Sequence, residues 1–186
     1  SLEQIGREKA GILRFGQHVF LGERMPQSVW MACSELQIKP MALGFDIAFE
    51  YASSDDSWQC KYLDRQIEDI PTGNLSAHNL TLAFAAVNAV ATTDAKFLSQ
   101  VSRDIKMPGR LEIFEIQGRT VVHDVSHNAA GVDFLWHELR VRGLYPAHII
   151  CCMLSGKDHA EVYRVLTKYC TAPWTLVSSY GERALT

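Results

Sequence analysis

The second half of the chain contains the segment Thr120-Val-Val-His-Asp-Val-Ser-His-Asn128, in which a β-type run leads directly into the start of a helix. Its strand begins with β-branched residues, but His123 and Asp124 interrupt it near the C-terminal end. Strands of a parallel sheet are covered on both faces and are normally apolar throughout. Burying an unpartnered polar group costs about 1 to 3 kcal/mol, so we expect Asp124 to have a partner.

Strands and helices alternate around this segment. The pattern predicts strands over 111–116, 120–125, 147–154 and 175–177, and helices over 129–142 and 159–169. The first two strands flank a turn at Gln117-Gly118. Strands separated by helices of this length indicate parallel strands with right-handed crossovers. The second half is therefore predicted to be an α/β domain.

The first half has a different pattern. It predicts a helix over 2–10 that ends at a left-handed Gly11, a short strand over 19–22, and a helix that begins at Pro26. Two extended runs, 43–51 and 58–63, form a predicted hairpin, and a further helix carries the apolar stripe Leu80, Phe84, Val87 and Ala91. The polar residues 99–108 are predicted to be a linker.

Composition limits the classes of function. The 186 residues carry a net charge of -3 with 47% hydrophobic residues, which excludes wholesale disorder. No run of 18 apolar residues is available to span a membrane. Without a Lys/Arg cluster, nucleic acid is not an expected partner. Five cysteines without CxxC spacing favour a reducing, cytoplasmic location over a disulfide framework or a thiolate zinc site.

A ligand-binding site is predicted at the loop Ser126-His127-Asn128. Ligands of open α/β sheets bind beyond the carboxyl ends of the strands, and the free N–H groups at a helix start favour anions. Asp124 could therefore accept a ribose hydroxyl, and His127 could approach a phosphate. The spacing also allows a purely structural interpretation, in which Asp124 and Asn128 cap the helix and His127 is an ordinary loop residue.

Three further positions have both a chemical and a structural interpretation. Arg110 follows Pro108-Gly109 at the start of a strand, where its forked guanidinium could bind phosphate or simply face solvent. The loop ending in Lys157-Asp158 repeats the strand-to-helix geometry. The structural interpretation of Asp158 is that it is simply a charge at the start of the helix. Lys9 is expected on a solvated face. If it were instead buried, the neutral amine could form a carbamate, which is an oxygen ligand for Mg2+.

Several motifs are absent from the chain. It has no GxGxxG, no GxxxxGK[ST] and no GxSxG, and His137-Glu138 is followed by Val141 where HExxH requires histidine. A dinucleotide fingerprint, a P-loop, a nucleophile elbow and a zincin site are therefore not predicted.

Five short motifs, taken in order, resemble the folylpolyglutamate synthases and dihydrofolate synthases of the Mur ligase superfamily. They are Ile5-Gly-Arg-Glu-Lys-Ala-Gly-Ile12, Asn79 at the head of its helix, Pro108-Gly-Arg-Leu-Glu112, Asp124-Val-Ser-His-Asn128 and Met153-Leu-Ser-Gly-Lys-Asp158. The resemblance implies the end of a P-loop-type ATPase domain over 1–98, a linker over 99–108, and a partial, Rossmann-like C-terminal ligase domain over 109–186. The chain is accordingly expected to be a piece of a longer protein, inactive alone.

The resemblance also implies an activity and its residues. The activity is ATP-dependent amide formation, in which a folate or dihydropteroate carboxylate becomes an acyl phosphate that the amine of L-glutamate attacks. Lys9 resembles a carbamylated lysine near Mg2+, Asn79 and Arg110 resemble nucleotide contacts, Asp124 a ribose acceptor, and His127 a residue near the phosphates. On this basis Lys9 and His127 are the catalytic candidates, and the whole protein is expected to be monomeric.

Three departures from the family's motifs bear on this resemblance. Ala129 replaces a proline, Ser126 replaces a common alanine, and Gly156 replaces an acidic residue. The first two are small changes in volume, but the third puts a role of the 153–158 loop in doubt. Two alternatives stay open: another Mur-type amide ligase with a different acyl acceptor, or a non-catalytic α/β module that binds a nucleotide.

Overall fold

The computed structural model describes residues 1–54, 56–156 and 158–178. Among them the chain forms two compact units, Ser1–Ile105 and Lys106–Thr186. The boundary falls inside the predicted linker, but residues 99–104 are not part of a linker, because they continue a helix. That helix buries Leu98 and Ser102, which are four residues apart on one face, and its polar residues cover the opposite, solvent-facing side.

The first unit contains four helices and five strands within its described residues. In chain order they are α1 (Leu2–Ala10), β1 (Phe20–Leu21), α2 (Gln27–Glu35), β2 (Met41–Ala42), β3 (Ile47–Tyr51), β4 (Ser57–Tyr62), β5 (Arg65–Pro71), α3 (Ala77–Asn88) and α4 (Ala95–Asp104). Strands β1 and β2 pair in parallel, and β3, β4 and β5 form an antiparallel sheet. The predicted hairpin over 43–63 is confirmed as β3 and β4.

The third strand of that sheet, β5, was not predicted from the sequence. Its two core residues, Ile67 and Ile70, are three positions apart, which breaks the alternation of a regular strand. Asp69 has a φ of 54°, and the register between β4 and β5 shifts beside Trp58 and Cys60. This bulge turns both isoleucines to the same face, where α3 and α4 cover them.

Two predicted helix ends in the first unit are corrected. Helix α1 ends at Ala10 as predicted, but Gly11 has a right-handed φ of -60°. Helix α3 ends at Asn88, so Ala91 of the predicted stripe lies beyond it. Within the helix, Leu80 and Phe84 are buried, but Val87 is exposed. The Asn88 side chain donates to the carbonyl of Phe84 and to the Thr93 hydroxyl, which ties the last turn of α3 to the segment that follows it.

The second unit contains two helices and four strands within its described residues. They are β6 (Glu112–Ile116), β7 (Arg119–His123), α5 (Ala129–Val141), β8 (Ile149–Cys151), α6 (His159–Tyr169) and β9 (Trp174–Leu176). Strands β8 and β9 pair in parallel across α6, which confirms the α/β prediction. Helices α5 and α6 pack together around Val132, Val162 and Val165.

The prediction that β7 lies in a parallel sheet is wrong for the described residues. Strand β7 pairs antiparallel with β6 and remains partly exposed along its length. The cause is the two-residue turn, because Gln117 and Gly118 have φ values of 50° and 71°. Two positive φ values in succession are typical of the tight turns that fold a strand back on its neighbour.

Candidate functional site

Residues 107–110 form a tight turn ahead of β6. The Arg110 amide donates to the Met107 carbonyl at 3.0 Å. Pro108 and Gly109 occupy its central positions, and Gly109 has a φ of 68°, a combination typical of a type II turn. A Cβ on Gly109 would lie 2.7 Å from Cγ1 of Val125. Glycine thus permits both the turn and its close approach to the end of β7.

The Asp124 carboxylate connects this turn to the loop after β7. Its Oδ2 accepts from the Leu111 amide at 2.8 Å, and its Oδ1 accepts from the Ser126 amide at 2.8 Å and from the Ser126 hydroxyl at 2.6 Å. The Val125 amide donates to the Gly109 carbonyl at 2.9 Å. We refer to residues 107–112 and 123–128, which these bonds join, as the turn–loop cluster.

This arrangement gives Asp124 the partner that the sequence led us to expect. The residue is half-buried, and its partners belong to the chain itself. A carboxylate offers about four acceptor positions, so three bonds leave room for about one further donor. The contact of Asp124 with a ribose hydroxyl stays a prediction, and the geometry by itself favours a structural role.

His127 and Asn128 follow in the same loop. The exposed His127 places Nδ1 3.1 Å from the Val125 carbonyl oxygen, which leaves Nε2 as the nitrogen for a ligand. The Asn128 side chain accepts from the Gly131 amide at 2.8 Å and caps α5. The structural interpretation of the sequence therefore holds for Asn128, whereas Asp124 ties two loops together and is not the helix cap.

Arg110, Asp124 and His127 are brought together in the turn–loop cluster. Arg110 is exposed and precedes Leu111, whose amide is bound by Asp124. Arg110 does not begin the strand, as the sequence suggested, because Leu111 has a φ of 45° and β6 starts at Glu112. The chain changes direction between the turn and the strand.

Two residues of the cluster were not predicted to have a role. Glu112 and His123 face each other in the β6–β7 register. Oε2 of Glu112 accepts from the Gly109 amide at 3.0 Å and lies 3.3 Å from Nδ1 of His123. The Gly109 amide, and after it the His123 side chain, lower the pKa of Glu112. Glu112 was visible as the last residue of the Pro108–Glu112 motif, but its partner depends on strand register.

Lys9 and Asn79 belong to the first unit. Lys9 lies in the last turn of α1, where its Nζ is 3.2 Å from Oε1 of Glu8 and its side chain is 74% exposed. Carbamate formation was predicted only for a buried Lys9, and Lys9 is not buried. Asn79 lies in the first turn of α3, with its amide donating to the Ser76 hydroxyl at 3.3 Å and its Oδ1 3.2 Å from Nδ1 of His78.

The loop before α6 is described in part, because Lys157 lies outside the described residues. Asp158 caps α6 by accepting from the Glu161 amide at 3.1 Å. Nε2 of His159 lies 3.0 Å from the Leu154 carbonyl oxygen. These contacts give Asp158 the helix-terminal role that the sequence allowed.

The described part of the chain contains neither a candidate metal cluster nor a candidate membrane span. In residues 1–54, 56–156 and 158–178, no three His, Cys, Asp or Glu side chains lie close enough to hold one metal ion. The five cysteines are free thiols, and burial raises the pKa of Cys60 to about 12. Over the same described ranges, no helix has the length and apolar character needed to cross a bilayer.

Comparison with known proteins gives the class of the fold. No family model matches the chain. A crystal structure of the bifunctional folylpolyglutamate synthase/dihydrofolate synthase from Yersinia pestis CO92 superimposes with a TM-score of 0.87 at 25% identity, covering 100% of this chain and 44% of that one. The Yersinia pestis enzyme complexed with AMPPNP and Mn ion gives a TM-score of 0.86 at 26% identity, covering 99% and 44%. The fold is therefore an α/β fold of the Mur ligase type.

The sequence comparison identifies the relatives more closely. The chain is 28% identical over 136 residues to the dihydrofolate synthase/folylpolyglutamate synthase of Escherichia coli (strain K12). The match covers 72% of this chain and 31% of the relative, so the chain spans about a third of that protein's length. The resemblance inferred from the five motifs to dihydrofolate and folylpolyglutamate synthases is confirmed.

Proposed function

We propose that this chain is part of an ATP-dependent ligase that joins L-glutamate to the carboxylate of a folate or dihydropteroate. One observation carries the proposal: the whole chain superimposes on folylpolyglutamate synthase/dihydrofolate synthase with a TM-score of 0.87. The name of the Escherichia coli relative states the same two activities. The turn–loop cluster is consistent with this function but would not establish it alone, because its aspartate is satisfied by the chain itself.

The proposed reaction has two steps. The folate or dihydropteroate carboxylate attacks the γ-phosphorus of ATP, so that an acyl phosphate forms and ADP leaves. The amine of glutamate then attacks the acyl carbon, an amide bond forms, and phosphate leaves with the electrons of the broken C–O bond. Negative charge spreads over the transferring phosphoryl oxygens, so fixed positive charge near them lowers the barrier most.

The turn–loop cluster would supply this chain's share of nucleotide binding. Arg110 is exposed at a rigid turn, and its planar guanidinium suits two oxygens of one phosphate. Nε2 of His127 could donate to a second phosphate. The fourth acceptor position of Asp124 could take one ribose hydroxyl. Asn79, exposed at the start of α3, is proposed as a further nucleotide contact.

A divalent cation is part of the proposal because the Yersinia pestis relative was crystallised with AMPPNP and Mn ion. Mg2+ bound with ATP would neutralise charge on its phosphate oxygens. The described residues of this chain do not fit a Mg2+ site by themselves: no three acidic, His or Cys side chains converge among them, and Lys9 is exposed beside Glu8. The proposal therefore assigns no step to Lys9.

The experiment is an ADP-release assay on the protein expressed from the complete reading frame. ATP, Mg2+ and L-glutamate are supplied with dihydropteroate or with tetrahydrofolate, and each component is omitted in turn. ADP release that needs both glutamate and a pterin carboxylate supports the proposal. ATP binding without ADP release under any combination would contradict it, and turnover only with an unrelated acyl acceptor would favour another Mur-type ligase.

A further inference from the structure

Among the described residues, Glu112 is the only carboxylate that accepts a hydrogen bond from a main-chain amide of the 107–110 turn. Oε2 of Glu112 accepts from the Gly109 amide at 3.0 Å. This bond closes a short loop around Arg110 and Leu111, because the two residues are three positions apart. The Arg110 amide is fixed on the other side of the turn by the Met107 carbonyl at 3.0 Å. The main chain on both sides of the Arg110 side chain is therefore held.

His123 holds Glu112 in this position. The two residues are opposite each other in the antiparallel β6–β7 pair, and Nδ1 of His123 lies 3.3 Å from the same Oε2. Side chains directly opposite each other on neighbouring strands are the closest cross-strand neighbours. The rotamer of Glu112 is thus restricted by β7 while its carboxylate binds the turn before β6.

A second tie fixes the same turn to the end of β7. The Leu111 amide donates to Asp124, and the Gly109 carbonyl accepts from the Val125 amide. Gly109 and Leu111 both have positive φ values, 68° and 45°. Non-glycine residues adopt this region at a cost, so the backbone around Arg110 needs the bonds that hold it. Without Glu112, the turn would keep these two ties and its own Arg110–Met107 bond, but the Gly109 amide would lose its acceptor.

We propose that Glu112 is a positioning residue for nucleotide binding: together with His123 it fixes the turn from which the Arg110 guanidinium reaches a phosphate. The inference rests on the proposed function, because it assumes that Arg110 contacts the nucleotide. In this proposal Glu112 makes no contact with the nucleotide and acts through the Gly109 amide. Bidentate guanidinium–phosphate hydrogen bonds depend on distance and angle, so a shift of the turn would weaken them.

The first test measures binding of AMPPNP with Mg2+ to the complete protein carrying Glu112→Ala, Glu112→Gln or the control Glu115→Ala. Glu115 is a matched control, because it lies on the same strand and accepts from the Thr120 hydroxyl instead of the turn. Glu112→Ala should weaken binding by up to about tenfold, because a displaced Arg110 would lose the alignment of its charge-assisted hydrogen bonds to phosphate. Glu112→Gln keeps an acceptor oxygen and should recover most of the affinity, and Glu115→Ala should match the wild type.

The second test separates positioning from stability. In the ligase assay, Glu112→Ala should raise the KM for ATP with little change in kcat, and amide hydrogen exchange at Gly109 and Arg110 should accelerate. A lower melting temperature with an unchanged KM would overturn the positioning role. Equal AMPPNP affinity of wild type and Glu112→Ala would overturn it too, whereas failure of the wild type to bind AMPPNP would overturn the proposed function first.

Discussion

The Asp124 carboxylate accepts a hydrogen bond from the Leu111 amide at 2.8 Å, across 13 residues of sequence. Leu111 directly precedes β6 and Asp124 directly follows β7, so this bond closes the open end of the hairpin, from which the chain leads into α5. The same carboxylate holds the amide and hydroxyl of Ser126. One side chain therefore sets the relative position of two motifs that resemble nucleotide contacts.

Replacing Asp124 should destabilise the second unit. Asp124→Ala leaves the Leu111 and Ser126 amides without their acceptor, and we expect a loss of about 2 to 3 kcal/mol in the free energy of unfolding. Urea unfolding and hydrogen exchange of the Leu111 amide measure it. Asp133→Ala is the control, because that exposed carboxylate accepts one bond, from Tyr169. Equal stability of the Asp124→Ala and Asp133→Ala proteins would contradict the structural role.

The Ser126 hydroxyl occupies one of the acceptor positions of Asp124 and leaves about one for a ribose hydroxyl. Its hydroxyl donates to Oδ1 of Asp124 at 2.6 Å. Ser126→Ala should free that position and tighten AMPPNP binding to the complete protein about two- to fivefold. Thr120→Val is the control, since it removes a hydroxyl that donates to Glu115 in the same hairpin. Weaker binding by Ser126→Ala would argue against a ribose contact at Asp124.

Alanine variants of two glycines distinguish the stability cost of backbone strain from the cost of close packing. Gly109 and Gly118 have φ values of 68° and 71°, but a Cβ would meet Val125 at 2.7 Å only at Gly109 and has open space at Gly118. Both alanine variants should lose about 1 kcal/mol to the left-handed backbone, and Gly109→Ala about 1 to 3 kcal/mol more from overpacking. Equal melting temperatures for the two variants would show that the turn does not pack closely on β7.

Acid should weaken the contact between α1 and α2. The Glu3 carboxylate accepts from the Ser28 amide at 2.7 Å and from the Gln27 amide at 3.2 Å, and the Ser28 amide is the main cause of its lowered pKa. Since the folded-state pKa lies below the unfolded one, the stabilisation is complete at neutral pH. It disappears as the pH falls below about 4.

The measurement is the urea midpoint of wild type and Glu3→Ala between pH 7 and pH 3. The difference should be largest near neutral pH and should shrink in acid. Glu8→Ala, on the same helix but paired with Lys9, is the control. A Glu3→Ala difference that stays constant over the whole range would show that the charge of Glu3 does not cap α2.

Elements with local signals were predictable from the sequence. Helix α6 has the predicted bounds, His159–Tyr169, because Asp158 caps it and Val162, Val165 and Leu166 form one apolar face. The β6–β7 hairpin was predictable because Gln117-Gly118 suits a tight turn. Helix α4 was missed because its polar residues were taken for a linker, although Leu98 and Ser102 have helical spacing.

Three members of the turn–loop cluster were predictable from the sequence, but its bonds were not. Arg110, Asp124 and His127 were found through motifs, yet the partner of Asp124 is a backbone amide 13 residues away. A main-chain donor leaves no trace in the identity of its residue. The Glu112–His123 pair likewise depends on the hairpin register. A shift of one residue between the strands would turn one of the two side chains to the opposite face of the hairpin. Lys9 was assigned a role that required burial, and the tertiary structure leaves it exposed.

The most direct test of the ligase assignment is mass spectrometry of the reaction product. Complete wild-type protein, incubated with dihydropteroate, L-glutamate, Mg2+ and ATP, should yield a pterin product carrying one added glutamate, with one ADP released per amide. Arg110→Ala should need about tenfold more ATP for the same rate, and Arg119→Ala, on the same hairpin, should not. ADP release without any glutamylated pterin or folate product would contradict the assignment.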